Sequence, residues 1–303
     1  MQKNAFLCRG AACFRDAFLK MRRKGTTIFP IDQKKLQKNA FSPKLFTFHF
    51  SLFTSFSYLC SRMLTKTQAI VLHAIKYGET RLIVDMFTRQ HGRLSFIVSL
   101  PKSPKAKVRK HFFQPLTMLE IEADLRPKIQ LQKIRDVRLA VPFITIPFDP
   151  NKLSISLFIA EFLYHALRGE QQNAPLYDYV TNSIIWLDSQ DVRYANFHLV
   201  FLMRLSRFLG FYPNLDHYQV GDYFDLRESI FTSQPPMHRD FLMPQEAEKI
   251  QVMMRMDFPT MHLYKMSHHE RNRLLEVSLI YYRLHLPDFP EMKSVEVLRE
   301  MYS

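Results

Sequence analysis

The stretch from Ala69 to Val98 constrains the fold of this chain more than any other part of the sequence. It reads AIVLHAIKYGETRLIVDMFTRQHGRLSFIV. Leu94, Phe96 and Val98 alternate with Arg93, Ser95 and Ile97, a period of two that is typical of a half-buried strand. YGET and RQHG supply turn residues. The stretch therefore predicts three short strands joined by two tight turns.

Two more strands are predicted after a basic loop, from about Phe113 to Ala123 and from about Lys128 to Leu139, with an Arg126-Pro127 turn between them. In the first of them Leu119, Ile121 and Ala123 alternate with Glu120 and Glu122, which predicts a core on one side only. Five short antiparallel strands favour an OB-type barrel over residues 63–141.

The loop between the third and fourth strands, SLPKSPKAKVRKHF, is the candidate nucleic-acid site. Its charge cannot be buried, so it must face water or phosphate. The alternative is a solvated loop without a partner. Phe112 and Phe113 are expected to begin the core-facing side of the fourth strand rather than to stack on bases. We expect phosphate contacts from Arg89, Arg93, Lys102, Lys105, Lys107, Arg109 and Lys110, with Lys128, Lys133, Arg135 and Arg138 adding to the basic charge.

Charge is distributed unevenly along the chain. Residues 63–141 hold 15 Lys and Arg against 6 Asp and Glu, a net +9, whereas residues 142–303 hold 15 against 20, a net −5. A phosphate-binding surface is therefore expected in the first part, and protein partners are expected for the second.

Residues 1–62 form a leader with a net charge of +10 and a repeated QKNAF motif. Its Phe-rich run, Leu45 to Cys60, is shorter than the roughly 20 apolar residues that span a bilayer. We expect Met63 to be the true start, with a targeting or membrane-surface segment as the alternative. Cys8, Cys13 and Cys60 all lie in this leader, so the rest of the chain has no thiol, which fits a reducing, cytoplasmic location.

Residues 142–303 are predicted to be mainly helical. Asp149-Pro150 forms an N-cap pair that opens a helix ending at Arg168. Further helices are predicted from Pro175 to Leu187, from Val192 to Leu209, and from a Ser267-x-x-Glu270 capping box to Leu286. The fold class is thus α+β, with a small insert at about residues 215–243.

No constellation of catalytic residues stands out. There is no GxxxxGK[ST] or GxGxxG, and the apparent HExxH that begins at His269 has Arg273 in place of its second histidine. Adjacent His268 and His269 point about a hundred degrees apart on a helix and cannot chelate one ion. We therefore expect a non-enzyme without cofactor or metal.

Taken together, these motifs resemble the bacterial RecO family. The residues that carry the resemblance are Ala69 to Leu72, Tyr77 to Glu79, Leu82 to Val84, Phe87-Thr88, His91 to Ser95, Gln114 to Leu116 and, in the helical part, RLSRFLGFYPNLDHYQVG from Arg204 to Gly221. Zinc-binding members of that family place four cysteines in and after this last segment. Here His217, Tyr218 and Val220 stand at the first pair and residues 221–243 contain no cysteine, so the zinc site is expected to be absent.

The resemblance implies a recombination mediator in the cytoplasm, associated with the nucleoid. Such proteins bind single- and double-stranded DNA, anneal complementary strands, and act with RecR, sometimes RecF, to load RecA. They also recognise the acidic C-terminal tail of single-stranded DNA-binding protein. The alternative function is a non-enzymatic adaptor with a basic barrel and weak DNA binding.

A pocket for that tail is predicted on the third helix, with its arginines pairing with the terminal carboxylate. The alternative is that this stripe is simply core. The candidate residues are Phe201, Arg204, Leu205, Arg207 and Phe208.

Overall fold

The computed structural model describes residues 63–100, 108–126 and 129–300. The leader with its repeat and three cysteines lies outside these residues, as do Lys102, Lys105, Lys107 and Lys128. The barrel strands are β1 (Met63–Tyr77), β2 (Arg81–Thr88), β3 (Gly92–Ser99), β4 (Met118–Leu125) and β5 (Leu131–Val141). The helices are α1 (Pro150–Ala166), α2 (Ala174–Ser189), α3 (Phe197–Leu209), α4 (Pro244–Arg255), α5 (His268–His285) and α6 (Ser294–Glu300).

The five strands close into a barrel in the order β1-β2-β3-β5-β4, which confirms the OB-type prediction. The 15-residue strand β1 pairs with β4 along its first half and with β2 along its second. A bulge between Val71 and His73 lets it bend from one partner to the other. Closure is completed by a short parallel pairing of β3 with β5, from Ser95 opposite Leu131 to Ile97 opposite Lys133.

The predicted alternation is confirmed in both β3 and β4. Phe96, Leu119 and Ala123 are fully buried in the barrel interior, while Glu120 is exposed. The fourth strand begins later than predicted, because residues Lys110–Phe113 form a 3-10 turn. Phe113 enters the barrel core from this turn, and Leu116, with a φ of 62°, breaks the extended chain before β4. The fifth strand likewise begins at Leu131 rather than at residue 128.

The capping predictions for the helical part are confirmed. Asp149 accepts hydrogen bonds from the first backbone N–H groups of α1, and Ser267 with Glu270 forms a reciprocal capping box on α5. The third helix, however, begins at Phe197 rather than at Val192. Arg193 has a φ of 71°, which is not helical, and Asn196 is the N-cap residue, whose side-chain amide donates to the carbonyls of Met261 and Tyr264.

The insert contains a small antiparallel sheet with the order β7-β6-β8, formed by β6 (Tyr223–Asp225), β7 (Ile230–Thr232) and β8 (Phe241–Leu242). Phe224, Phe231 and Leu242 are buried in the helical core, so apolar packing holds the insert. Nε2 of His238 lies 3.1 Å from Oδ2 of Asp225 and joins the loop to the sheet.

The barrel docks firmly on the helical domain. Ile70, Leu72 and Phe87 point out of the barrel and belong to the same buried core as α1, α3 and α5. At the turn between β2 and β3, the N–H of Arg93 donates to the carbonyl of Glu170 in the loop after α1. Gly92 brings its backbone against that loop.

Asp188, at the end of α2, fixes the segment that links the two domains. Its carboxylate accepts hydrogen bonds from the backbone N–H groups of Ile144, Thr145 and Ile146 at 2.8 to 2.9 Å. The buried amine of Lys152 donates to the hydroxyl of Thr145 at 2.6 Å. These hydrogen bonds hold the segment between the barrel and the first helix in one conformation.

Candidate nucleic-acid interface

The basic loop is anchored to the barrel at both of its described flanks. The N–H of Leu100 donates to the carbonyl of Thr80 at 2.7 Å, so the loop leaves the barrel beside the β1–β2 turn. It returns through the 3-10 turn that buries Phe113. Of the predicted phosphate contacts, Arg109 and Lys110 lie in this returning flank and are exposed. The segment that carries Lys102, Lys105 and Lys107 lies outside the described residues.

Three further exposed cations lie close to the point where the loop leaves the barrel. Two of them were not candidates from the sequence, and the third, Lys133, was expected only to add to the basic charge. Lys76 and Arg81 flank the β1–β2 turn, with Arg81 paired to Tyr77 across it. Lys133 lies opposite Ile97, two residues before the loop begins. Within the described part of the chain, none of these three forms an ion pair. Lys76 and Arg81 could have been found from the YGET turn, because residues that flank a tight turn meet across it.

Two other cations of the barrel, on the face formed by β1, β4 and β5, are paired with carboxylates. Lys66 contacts Glu122 at 2.7 Å, and Arg138 contacts Asp136 at 3.3 Å. Together with Glu120 these residues line a polar recess of about 320 Å³ on the β1–β4–β5 face. The lining of this recess holds three carboxylates and two cations, so the recess repels a polyanion. The barrel therefore has one free basic end and one neutralised face.

Arg89 and Arg93 serve the contact between domains. Arg89 pairs with Asp178 of α2 at 3.0 Å. Arg93 donates to the carbonyl of Tyr164 at 2.5 Å, lies over that residue's ring at 4.4 Å, and has a side chain only 13% exposed. The assignment of Arg93 to the phosphate-binding set is therefore corrected, because its guanidinium is already bound in the domain contact.

The predicted partner pocket on α3 is not a surface feature. Phe201 and Leu205 are fully buried, because α2, α4 and α5 all pack on this helix. Arg204 donates to the carbonyl of Met256, and Phe208 stacks on Tyr179 with 4.9 Å between ring centroids. Arg207 remains exposed. The core interpretation of this stripe, which the sequence left open, is correct for its apolar residues.

A real crevice lies between α4 and α5. It has a volume of about 140 Å³, and Met266, Leu274 and Val277 form its apolar lining. Lys249 and Arg273 stand at its rim, where they contact Glu270 at 3.1 Å and Glu246 at 2.6 Å. The crevice thus combines an apolar floor with cations whose present partners are half-exposed carboxylates.

Three histidines, one in the barrel and two in the helices, have lowered pKa values. Burial lowers the pKa of His198 to about 3, with Arg271 acting in the same direction. Burial also lowers the pKa of His91 and of His165. Among the described residues, no group of three His, Cys, Asp or Glu side chains is placed to hold a metal ion. No helix in the described ranges is long and apolar enough to cross a membrane.

Comparison with known proteins covers both parts of the structure. Residues 63–143 match the family model "Recombination protein O N terminal" and residues 147–294 match "Recombination protein O C terminal". DNA repair protein RecO of Phocaeicola vulgatus is 53% identical over 241 residues, which is 80% of this chain and the whole of that protein. RecO of Bacteroides fragilis strain ATCC 25285 is 52% identical over 241 residues, which cover 79% of this chain and the whole of that protein. RecO of Flavobacterium psychrophilum is 36% identical over 243 residues, which cover 80% of this chain and the whole of that protein.

Proposed function

This chain belongs to the RecO family of DNA repair and recombination proteins, and from that membership we propose that it is a recombination mediator. It binds single- and double-stranded DNA, anneals complementary strands, and acts with RecR, and in some settings RecF, to help load RecA. Its place of action is the cytoplasm, at the nucleoid. It carries out no bond-breaking chemistry of its own.

The free basic end of the barrel supports this proposal more than any other observation. Lys76, Arg81 and Lys133 stand there without carboxylate partners among the described residues, beside the point where the basic loop begins. Annealing requires two polyanions to approach each other, and a cluster of free cations lowers their repulsion because it neutralises phosphate charge. No nucleotide hydrolysis is needed for that step.

Neutralising Lys105, Lys107 and Arg109 together to glutamine tests the proposal. We expect weaker binding of single strands and duplexes of every sequence, and slower annealing of complementary strands, because phosphate contacts carry no base identity. The control is Lys66→Gln with Arg138→Gln, which removes two carboxylate-paired cations from the β1–β4–β5 face. Gel shifts and a fluorescence annealing assay measure both. The adaptor alternative predicts that parent and variant bind DNA equally weakly.

The net negative helical domain is the surface for protein partners in this proposal. The binding site for the tail of single-stranded DNA-binding protein is the α4–α5 crevice rather than the stripe on α3. The crevice is open to solvent, whereas Phe201 of the stripe is buried. Its apolar floor suits the tail's terminal side chains, and Lys249 or Arg273 can exchange a half-exposed carboxylate for the tail's own.

Lys249→Glu is expected to weaken binding of a tail peptide by about tenfold or more, since a charge-assisted contact is replaced by repulsion. Arg207→Glu is the matched control, because it reverses one exposed charge on the neighbouring helix α3. Fluorescence titration of the peptide measures both. If Arg207→Glu loses peptide binding and Lys249→Glu keeps it, the tail binds at α3 and not at the crevice.

A further inference from the structure

The first helix of the helical domain exposes an apolar stripe. Of the 17 residues of α1, all of which the structure describes, only Pro150, Leu153 and Leu157 are exposed. Leu153 and Leu157 are four residues apart and therefore lie on one face of the helix. The solvent-facing side of a helix in a globular protein is normally charged or polar. The exposed face of α1 departs from that pattern.

The segment that leads into α1 extends the stripe. The N–H of Phe148 donates to the carbonyl of Thr145 at 3.0 Å, so Ile144 and Phe148 flank one turn. Phe148 directly precedes the N-cap residue of α1, and Leu153 is the fourth residue of the helix. These are the two positions that pack together in a hydrophobic staple. The linker patch is defined as Ile144, Phe148, Leu153 and Leu157.

Hydrogen bonds hold the linker patch in place and use up the charges beside it. The carboxylate of Asp188 accepts from the backbone N–H of Ile144. The carboxylate of Asp149 caps α1 and accepts from the hydroxyl of Tyr194. The amine of Lys152 is buried and donates to Thr145. The patch is therefore rigid, and none of these three ionic groups gives it a free charge.

The patch is large for the surface of a monomer. Ile144 is 76% exposed, Phe148 82%, Leu153 42% and Leu157 41%, which corresponds to roughly 400 Å² of apolar surface. The largest apolar patch of a typical monomer is about 300–600 Å² and is often a binding site. Two linker patches and their exposed neighbours Pro142, Pro147 and Pro150 would bury about 1,200 Å² between them, the lower limit for a specific interface.

A second copy of this chain is the occupant that fits these properties. In a twofold arrangement each patch meets its own equivalent. A charged patch would repel itself there, whereas an uncharged apolar patch is complementary to itself. Interfaces between identical subunits are also more apolar than those between proteins that associate only transiently. A rigid patch loses little conformational entropy when it is covered.

We propose that two copies of this chain dock through their linker patches, and that the dimer anneals complementary strands faster than separate copies do. The second part rests on the proposed DNA-binding function. Each copy contributes one basic barrel end, so a dimer holds two strands at a high local concentration. The small interface implies a dissociation constant on the order of micromolar, so the dimer separates on dilution.

The double variant Ile144→Ser with Phe148→Ser tests the docking. Sedimentation of the full chain at increasing concentration is expected to show dimers of the parent, and association at least about tenfold weaker for the variant. Both side chains are exposed, so folding is expected to be unchanged, which circular dichroism checks. Leu157→Glu, on the helix part of the patch, is expected to give the same loss because it places an unpaired charge in the interface.

The matched control is Val220→Ser with Met237→Ser. It removes two exposed apolar side chains from the insert, outside the patch, and is expected to associate as the parent does. A parent that remains monomeric up to about 100 μM overturns the inference, as does a patch variant that associates like the parent. Loss of RecR binding by the patch variants with unchanged self-association also overturns it, because the patch is then an interface for RecR.

An annealing assay separates the docking from the proposed function. At protein concentrations above the dissociation constant of the dimer, the patch variant is expected to bind single strands as the parent does and to anneal complementary strands several-fold more slowly. An unchanged annealing rate overturns the second part of the inference. A parent that dimerises through the patch but binds no DNA overturns the proposed function and leaves the docking supported.

Discussion

Replacing Gly92 by alanine is expected to lower the melting temperature by roughly 10 °C, because a backbone cost of about 1–2 kcal/mol and an overlap cost of about 1–3 kcal/mol act at one position. Gly92 has a φ of 68°, which an L side chain rarely adopts. A Cβ atom there would also overlap the backbone of Glu170 and Gln171, which cannot rotate out of its way. The loop after α1 would have to move, and with it the docking of the barrel. Circular dichroism on heating measures the change.

Gly78→Ala is the matched control for this experiment. Gly78 has nearly the same φ, 69°, but an added Cβ meets no atom within 4 Å. Only the backbone cost of about 1–2 kcal/mol remains, which corresponds to a few degrees. Equal destabilisation by the two substitutions would show that the contact at Gly92 does not hold the domains together.

Asp188→Ala is expected to destabilise the protein by about 3–5 kcal/mol, since three backbone N–H groups lose their acceptor and at least one is buried. Urea denaturation measures the loss. Asp191→Ala, an exposed aspartate in the following loop, is the control and is expected to change stability by less than about 0.5 kcal/mol. A similar loss in both variants would mean that the Asp188 cluster does not secure the link.

The contribution of Asp188 also has a definite pH dependence. Burial tends to raise the pKa of its carboxyl, but hydrogen bonds from the N–H groups of Ile144, Ile146 and Thr145 outweigh burial, so the pKa is lowered. A carboxyl with a lowered folded-state pKa stabilises the protein above its unfolded pKa, and this stability is lost as the pH falls through the folded pKa. The difference between the parent and Asp188→Ala is therefore expected to shrink in acid.

The barrel was predictable because its signals are local. Alternation in β3 and β4, turn residues between strands, and the caps at Asp149 and Ser267 are each encoded within a few residues. The 3-10 turn before β4 was missed for a physical reason. Phe112 and Phe113 look like the start of an apolar strand, and only the closed barrel shows that Phe113 enters the core from a turn.

The candidate site was less predictable because its geometry depends on distant parts of the chain. Arg93 donates a hydrogen bond to the carbonyl of Tyr164, 71 residues away, and Arg89 donates to the carboxylate of Asp178, 89 residues away. An apolar stripe such as Phe201 and Leu205 has the same spacing in a pocket as in a core. The strand register, which places Ile75, Ile83 and Ile97 in one row across three strands, likewise could not be read from local sequence.

The central claim is that the basic end of the barrel binds the DNA backbone, and the salt dependence of duplex binding tests it most directly. For the parent, log affinity is expected to fall steeply and linearly with log salt. In the variant with Lys105, Lys107 and Arg109 neutralised, the slope is expected to be shallower by about two to three units, close to 0.9 for each lost phosphate contact. The same slope in both proteins would contradict the account and place the DNA elsewhere.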